Sequence, residues 1–244
     1  MENIQQNYEW VELPSKGECY PISSPLRHGK VKVAYLKAMD ENVIVSEKHI
    51  REKIICDTLL KRKVLNAGTD ISLLCSGDKE AIVLWLLNTG YGNLYQMPSN
   101  SETIDLNMIK YKDFKLVSDD RGYFSYRLQD GRRITFRYLP YKEEERLIQS
   151  SIETLRTTEY TDDSYMDAYR TITIPLLLGM IVSVEGIEDI EEWLSDLDFE
   201  ALRQIQRYIT SNAAGLDMET TKGLIFDDSI FYNINMANER QIWA

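Results

Sequence analysis

Apolar and polar residues near the N-terminus follow first the period of a strand and then that of a helix. Residues 31–36 read Val-Lys-Val-Ala-Tyr-Leu, an alternation that is typical of a half-buried β-strand. Between Ser46 and Val64, isoleucine and leucine recur every three to four residues, which predicts an amphipathic helix with Ser46 as its N-cap. The N-terminal part is therefore expected to combine a strand with helices.

A second helix is predicted to begin at Asp78, as its N-cap, and to end at Gly90. Residues 82–87 are all apolar, so the hydrophobic surface extends nearly all the way round this helix. We expect the helix to be buried in the N-terminal part of the fold.

Asp130 and Gly131 form the clearest turn signal in the chain, because a tight hairpin turn needs positive φ angles. The flanking residues 123–128 and 133–138 are rich in aromatic and β-branched side chains, which favour strands. The sequence therefore predicts a central antiparallel β-hairpin.

A two-residue turn at this hairpin would place Phe124 opposite Arg137 and Tyr126 opposite Thr135. Both faces would then carry aromatic rings, of which one packs on the domain. The other face is either a contact surface, with Arg137 over a ring, or is covered by neighbouring helices. The pattern does not choose between these two alternatives.

The remainder is predicted to be mostly helical. Helices are expected at residues 142–155, at 165–184 with a kink at Pro175, at 188–197, and from Asp198 onward, and an acidic linker is expected at residues 159–163. We accordingly predict an α+β protein with an N-terminal strand-and-helix part at residues 1–97, a loop or linker at 98–120, and a hairpin-plus-helices part at 121–244.

The charge and the hydropathy exclude two classes of partner. The 244 residues carry a formal net charge of −11, whereas affinity for nucleic acid comes mainly from clustered Lys and Arg. The longest apolar run, residues 174–184, spans 11 residues, while a bilayer needs about 20. With no signal-peptide pattern at the N-terminus, the chain is expected to stay in the cytoplasm, with neither nucleic-acid binding nor membrane insertion.

The residue types that catalysis and metal binding require are scarce. The chain has three cysteines, two histidines and none of the common nucleotide-binding or nucleophile motifs. Its carboxylate clusters, such as Glu143 to Glu145 and Glu185 to Glu192, are typical of solvated helix faces rather than of an acid and base pair. We therefore expect no catalytic residue, no cofactor and no metal site.

Aromatic residues are the more informative signal, because amphipathic rings are enriched where proteins dock on each other. Many of the fifteen tyrosines and four tryptophans fall in poorly patterned segments. The candidate interface residues are Tyr20, Tyr91, Tyr95, Phe124, Tyr126, Arg137, Phe231, Tyr232 and Trp243. Coverage of the protein's own core is the alternative role for these side chains.

The order of several short motifs is distinctive. They are Leu13-Pro14-Ser15-Lys16-Gly17 followed by Tyr20, Asp78 leading to Tyr91-Gly92 and Tyr95, Leu139-Pro140 after the hairpin, residues 181–186, 197–203 and 215–217, and Ile230-Phe231-Tyr232. In this order the chain resembles the T4-like baseplate hub subunit family of contractile-tailed phages. The motifs are short, but they are distributed over most of the chain.

The resemblance implies a structural or assembly protein that binds other phage tail or baseplate proteins. It would act in the host cytoplasm during assembly and then either remain in the baseplate hub of the virion or leave as a chaperone of hub or tape-measure proteins. Many members of the family carry paired cysteines in the hairpin region and near the C-terminus. This chain has none there, so no zinc site is carried over. A carboxylate-dependent tail hydrolase is the alternative from another class.

Overall fold

The structure is a computed structural model, and it describes residues 7–97, 102–157 and 165–233. The fold is α+β, as predicted, with small antiparallel sheets and a mostly helical C-terminal part. Strand β1 (Tyr8–Glu12) pairs antiparallel with β2 (Lys30–Ala34), which confirms the expected strand near residue 31. The sequence did not predict β1.

The prediction of one continuous helix from Ser46 to Val64 is wrong, because the structure divides this segment into two helices. The structure has α1 (Glu41–Ile44), α2 (Glu47–Glu52) and α3 (Ile55–Lys63). Lys53 takes a left-handed conformation with φ of 53°, which ends α2. Ser46 does cap α2, since its hydroxyl accepts a hydrogen bond from the N–H of His49.

Helix α4 (Ser76–Tyr91) is the buried helix that the sequence predicts, but its ends differ. Cys75 occupies the N-cap position, and Asp78 lies inside the first turn. At the other end the helix continues past Gly90, and Gly92, with φ of 88°, follows its last residue. Ile82 and Leu86 are fully buried, as expected.

Part of the predicted linker is ordered. Strand β3 (Leu94–Gln96) pairs antiparallel with β4 (Thr103–Asp105), and Ile104, Leu106 and Ile109 are buried in the core. Residues 98–101 of that predicted linker lie outside the described residues.

The central hairpin is confirmed, and its predicted register is wrong by one residue. Strand β5 (Phe124–Arg127) pairs with β6 (Arg133–Phe136) so that Phe124 lies opposite Phe136 and Tyr126 opposite Ile134. The N–H of Leu128 donates to the carbonyl of Arg132, which closes a three-residue loop, and Gly131 has φ of 90°. This register puts the apolar side chains on one face and Ser125, Thr135 and the strand-end arginines on the other.

Helix α5 (Tyr141–Thr157) follows the hairpin, and α6 (Tyr165–Met180) contains Pro175. The helix predicted to reach residue 184 ends at Met180, because β7 (Ile181–Val184) pairs with β6 as a third strand. The predicted acidic linker, residues 159–163, lies outside the described residues.

Helices α7 (Ile190–Asp196), α8 (Phe199–Ser211) and α9 (Met218–Thr221) complete the named elements, and residues 228–233 are also helical. Asp198 caps α8 as predicted, since its carboxylate accepts a hydrogen bond from the N–H of Ala201 over 2.8 Å. Within the described residues, no helix is long and apolar enough to cross a bilayer.

The buried side chains form two hydrophobic clusters. The first joins β1, β2, α3 and α4 with a later segment that contributes Leu224, Phe226, Ile230 and Phe231. The second joins the three-stranded sheet β5-β6-β7 with α6, α7 and α8. The C-terminal segment therefore returns to pack on the N-terminal elements.

Candidate functional site

The predicted interface residues divide by their exposure. Tyr20, Tyr95, Phe124 and Phe231 are at most 3% exposed and belong to the two hydrophobic clusters, so they do not lie on the accessible surface of this chain. These four side chains therefore have the alternative role, coverage of the protein's own core. Tyr91, Tyr126 and Arg137 are half-buried, and Tyr232 is exposed. Trp243 lies outside the described residues.

The half-buried members already have partners within the chain. The ring of Tyr126 stacks on Tyr208 with the centroids 3.8 Å apart, and the hydroxyl of Tyr91 donates to Glu41 over 2.7 Å. Arg137 lies 3.4 Å from the carboxylate of Glu143. Among the described residues, Arg137 is therefore paired with a carboxylate rather than with a ring.

The buried carboxylate of Asp78 joins the N-terminal segment to α4. It accepts hydrogen bonds from the N–H of Ser15 over 2.9 Å, from the Ser15 hydroxyl over 2.6 Å, and from the hydroxyl of Tyr20 over 2.5 Å. Burial raises the pKa of Asp78, and the hydrogen bonds from Ser15 and Tyr20 oppose this shift. We call Ser15, Tyr20, Cys75 and Asp78 the Asp78 junction.

Tyr20 also satisfies the N-terminus of α4. Its hydroxyl oxygen accepts a hydrogen bond from the N–H of Cys75 over 3.2 Å while its proton is donated to Asp78. One buried phenol thus fills a donor role and an acceptor role. The position of α4 relative to the N-terminal segment is therefore fixed by directed bonds as well as by packing.

Two later segments of the chain also contact the N-terminal end of α4. The N–H of Tyr141 donates to the carbonyl of Leu74 over 2.7 Å, next to a bridge between Cys75 and Pro140. On the neighbouring side, Gly77 of α4 is in backbone contact with Gly215, so close that an added Cβ would lie 2.5 Å from the Gly215 Cα. Segments that are far apart in the sequence thus meet around the first turn of α4.

Two thiols, Cys19 beside the junction and Cys56 in α3, are poorly suited to nucleophilic chemistry. A hydrogen bond with Cys75 raises the pKa of the Cys19 thiol well above its ordinary value, and burial raises that of Cys56. Both groups stay protonated at neutral pH. A cavity of about 120 Å³ beside Cys19 and Cys75 is bordered by Tyr138 and Met180.

A larger cavity, of about 590 Å³, lies between α3, α4, α5 and the segment at residues 227–228. We call it the charged cavity. Lys79 pairs with Glu145 over 2.8 Å and lies 4.6 Å from the centre of the Tyr141 ring. Burial by itself would lower the pKa of Lys79, but the hydrogen bond with Glu145 and nearby negative charges raise it. This lysine stays charged and is not a candidate base.

Two carboxylates, Asp57 and Asp228, tie the walls of the charged cavity together through four contacts. Asp57 accepts a hydrogen bond from the hydroxyl of Tyr141 over 2.5 Å and forms an ion pair with Lys142. Asp228 accepts hydrogen bonds from the N–H groups of Ile55 and Cys56 over 2.8 and 2.7 Å, at the start of α3. A carboxylate from the C-terminal segment thus supplies the cap that the local sequence of α3 lacks.

Sequence reasoning missed Ser15, Lys79 and Asp228 as site residues. For Asp78 a signal existed, since a carboxylate in the first turn of a helix that is expected to be buried needs buried donors. The partners of Asp228 lie more than 170 residues away, and no local pattern marks them.

In the described part of the chain, no group of three or more His, Cys, Asp or Glu side chains is placed to hold a metal ion. Comparison of the chain with protein-family models, with curated proteins and with solved structures finds no match.

Proposed function

We propose that this protein is a structural or assembly protein of a contractile phage tail that acts by binding other tail or baseplate hub proteins. The observation that carries the proposal is the convergence of four of the motifs that resemble the hub subunit family. Ser15 and Tyr20 from the first motif bond Asp78 from the second, and Pro140 and Gly215 from two later motifs lie against the same turn of α4.

This convergence supports the resemblance for a physical reason. Short motifs that are scattered by chance have no cause to meet in space, whereas residues that fix one junction constrain each other. The residues of these motifs would then maintain the shape of the protein. A fixed shape suits a protein whose role is to bind other proteins in an assembly.

The proposal assigns binding rather than turnover to this chain. The carboxylates of the Glu143 to Glu145 cluster contact Arg137, Ser76 and Lys79 respectively, so each has a partner within the fold. A hydrolase needs one carboxyl with a free path to substrate and a raised pKa. These contacts favour a structural role for the cluster.

Quantitative mass spectrometry of purified tails and of assembly intermediates tests the proposal. A fixed copy number in finished particles would identify a permanent hub component, and presence only in intermediates would identify an assembly chaperone. Absence from both fractions would contradict the proposal. Degradation of peptidoglycan by the purified protein, lost when Glu143 to Glu145 are replaced by glutamine, would favour the hydrolase instead.

A further inference from the structure

Helix α5 carries an apolar stripe that belongs to neither of the two hydrophobic clusters of the described residues. Ile148, Ile152 and Leu155 follow the spacing that places side chains on one helix face. All three are half-buried. Among the residues that the structure describes, both hydrophobic clusters and the side chains packed against them exclude these three. We call them the α5 stripe.

The α5 stripe does not line the cleft between α5 and α6. A cleft of about 370 Å³ separates the two helices, and its α5 wall includes Leu147 and Ser151. Ile148 and Ile152 each follow a wall residue by one position, which turns them by about 100° around the helix axis. Leu155 likewise follows the wall residue Thr154, so the stripe as a whole lies beside the cleft rather than inside it.

The charged cavity lies beside the α5 stripe. Glu145 and Gln149, which belong to its wall, precede Ile148 and Ile152 by three positions. Five carboxylates and three lysines line the cavity. Lys79 and Lys142 form ion pairs with Glu145 and Asp57. The carboxylates of Asp227 and Asp228 accept hydrogen bonds from backbone N–H groups and keep their negative charge. With five carboxylates against three lysines, the cavity has a formal net charge of −2.

From this arrangement we infer that the α5 stripe and the charged cavity together bind an amphipathic helix of another protein. The apolar face of that helix would lie on Ile148, Ile152 and Leu155, and one of its Lys or Arg side chains would enter the cavity. The inference rests on the proposed function, because it gives the chemistry of the partner that a tail-assembly protein would bind.

A second copy of this chain fits the surface less well. A two-fold contact would place two net-negative cavities next to each other, and each chain carries a net charge of −11. Like charges brought together across an interface cost binding energy, while a basic helix gains it. Charge complementarity thus selects a basic, heterologous helix.

Fluorescence anisotropy with synthetic helical peptides tests the inference on the full chain. One peptide has leucines at positions i, i+4 and i+7 flanked by lysines, a second has glutamates in place of the lysines, and a third has the leucines scrambled. We expect the lysine peptide to bind about tenfold or more tightly than the other two, with the difference shrinking as salt is raised. Equal binding of the lysine and glutamate peptides would overturn the inference.

Two protein variants locate the binding surface. Ile152→Glu places a carboxylate in the α5 stripe and should weaken lysine-peptide binding about tenfold, whereas Ser150→Glu adds the same charge to an exposed position outside the stripe and should not. Circular dichroism checks that Ile152→Glu is folded, and Leu155→Gln replaces it if it is not. Unchanged binding by the folded stripe variant would contradict the inference. A dimer in analytical ultracentrifugation that Ile152→Glu abolishes would also contradict it, in favour of self-association.

Tail assembly in infected cells separates this inference from the proposed function. Wild-type protein in the intermediates and loss of Ile152→Glu from them would support both. If Ile152→Glu enters the intermediates as well as the wild type does, the stripe is not the interface and the proposed function stands. If the wild type is absent from intermediates and particles, the proposed function fails, and the peptide measurements still decide whether the surface binds a basic helix.

Discussion

The hydroxyl of Tyr20 donates a hydrogen bond to the carboxylate of Asp78 over 2.5 Å, across 58 residues of sequence. Because both groups are buried, neither can exchange its partner for water. This bond closes the Asp78 junction, and the stability of the N-terminal elements should depend on it.

Replacing Tyr20 by phenylalanine keeps the ring and removes the hydroxyl. The buried carboxylate then loses a donor and the N–H of Cys75 loses its acceptor, so we expect the free energy of unfolding to fall by about 1–3 kcal/mol. Urea unfolding followed by circular dichroism measures this change. Tyr232→Phe, at an exposed tyrosine, is the control and should differ from wild type by less than about 0.5 kcal/mol. Identical midpoints for the two variants would refute the role of the bond.

The raised pKa of Asp78 predicts a specific dependence of stability on pH. Since burial raises its pKa in the folded state, the folded protein binds this proton more tightly than the unfolded chain does. Its contribution is therefore fully present below the ordinary value of about 3.9 and is lost as pH rises through the folded value. Asp119 and Asp130 have lowered pKa values and act in the opposite direction.

The variant Asp78→Asn isolates this effect, because the other carboxylates are common to both proteins. The wild-type free energy of unfolding minus that of Asp78→Asn should decrease as pH rises from about 3.9 upward. Urea titrations at a series of pH values provide the difference. A difference that increases over that range would show that the folded-state pKa is lowered.

Gly77 is expected to tolerate no side chain. A Cβ there would lie 2.5 Å from the Gly215 Cα, and a backbone cannot move aside as a flexible side chain can. We expect Gly77→Ala to destabilise the protein by about 1–3 kcal/mol or more, measured by urea unfolding.

Gly179→Ala is the matched control, since its nearest neighbours, at 3.1 and 3.2 Å, are side-chain methyl groups of Leu147 and Leu139. Those groups can shift, and alanine favours a helix over glycine by about 1 kcal/mol, so this variant should lose much less stability. Equal losses for both glycines would argue against the contact between α4 and Gly215.

Asp228→Ala removes the side-chain acceptor for two N–H groups at the start of α3. We expect a loss of about 0.5–2 kcal/mol, the usual cost of a lost helix cap, together with faster amide exchange at Ile55 and Cys56. Asp227→Ala is the control, because that carboxylate bonds Ser229, only two residues away. Protection of Ile55 and Cys56 that survives in Asp228→Ala would mean that the cap is not needed.

Local signals predicted the helices and strands better than they predicted their ends. The turn at Asp130 and Gly131 was found correctly, but a glycine with positive φ suits both a two-residue and a three-residue loop, so the register could not be derived from it. The sequence predicts Asp78 as an N-cap because aspartate is common at that position. Its actual partners, Ser15 and Tyr20, are distant in sequence.

The candidate interface was harder to predict than the fold. Tyr20, Tyr95 and Phe231 lie in segments without a clear period, and only tertiary contacts decide that such rings are buried. The α5 stripe differs from these segments because its spacing is clearly helical. No sequence pattern, however, tells whether a neighbouring element covers it. The α5 stripe becomes a candidate surface only from tertiary structure, because it lies outside both hydrophobic clusters and beside the charged cavity.

The return of the C-terminal segment to the first hydrophobic cluster has a consequence for synthesis on the ribosome. Val31 and Val33 share that cluster with Leu224, Phe226 and Phe231, which are translated some two hundred residues later. Contacts between distant parts of a chain form slowly and only after both parts exist. The N-terminal elements must therefore wait, with apolar surface uncovered and open to chaperones, until residues 224–231 have left the exit tunnel.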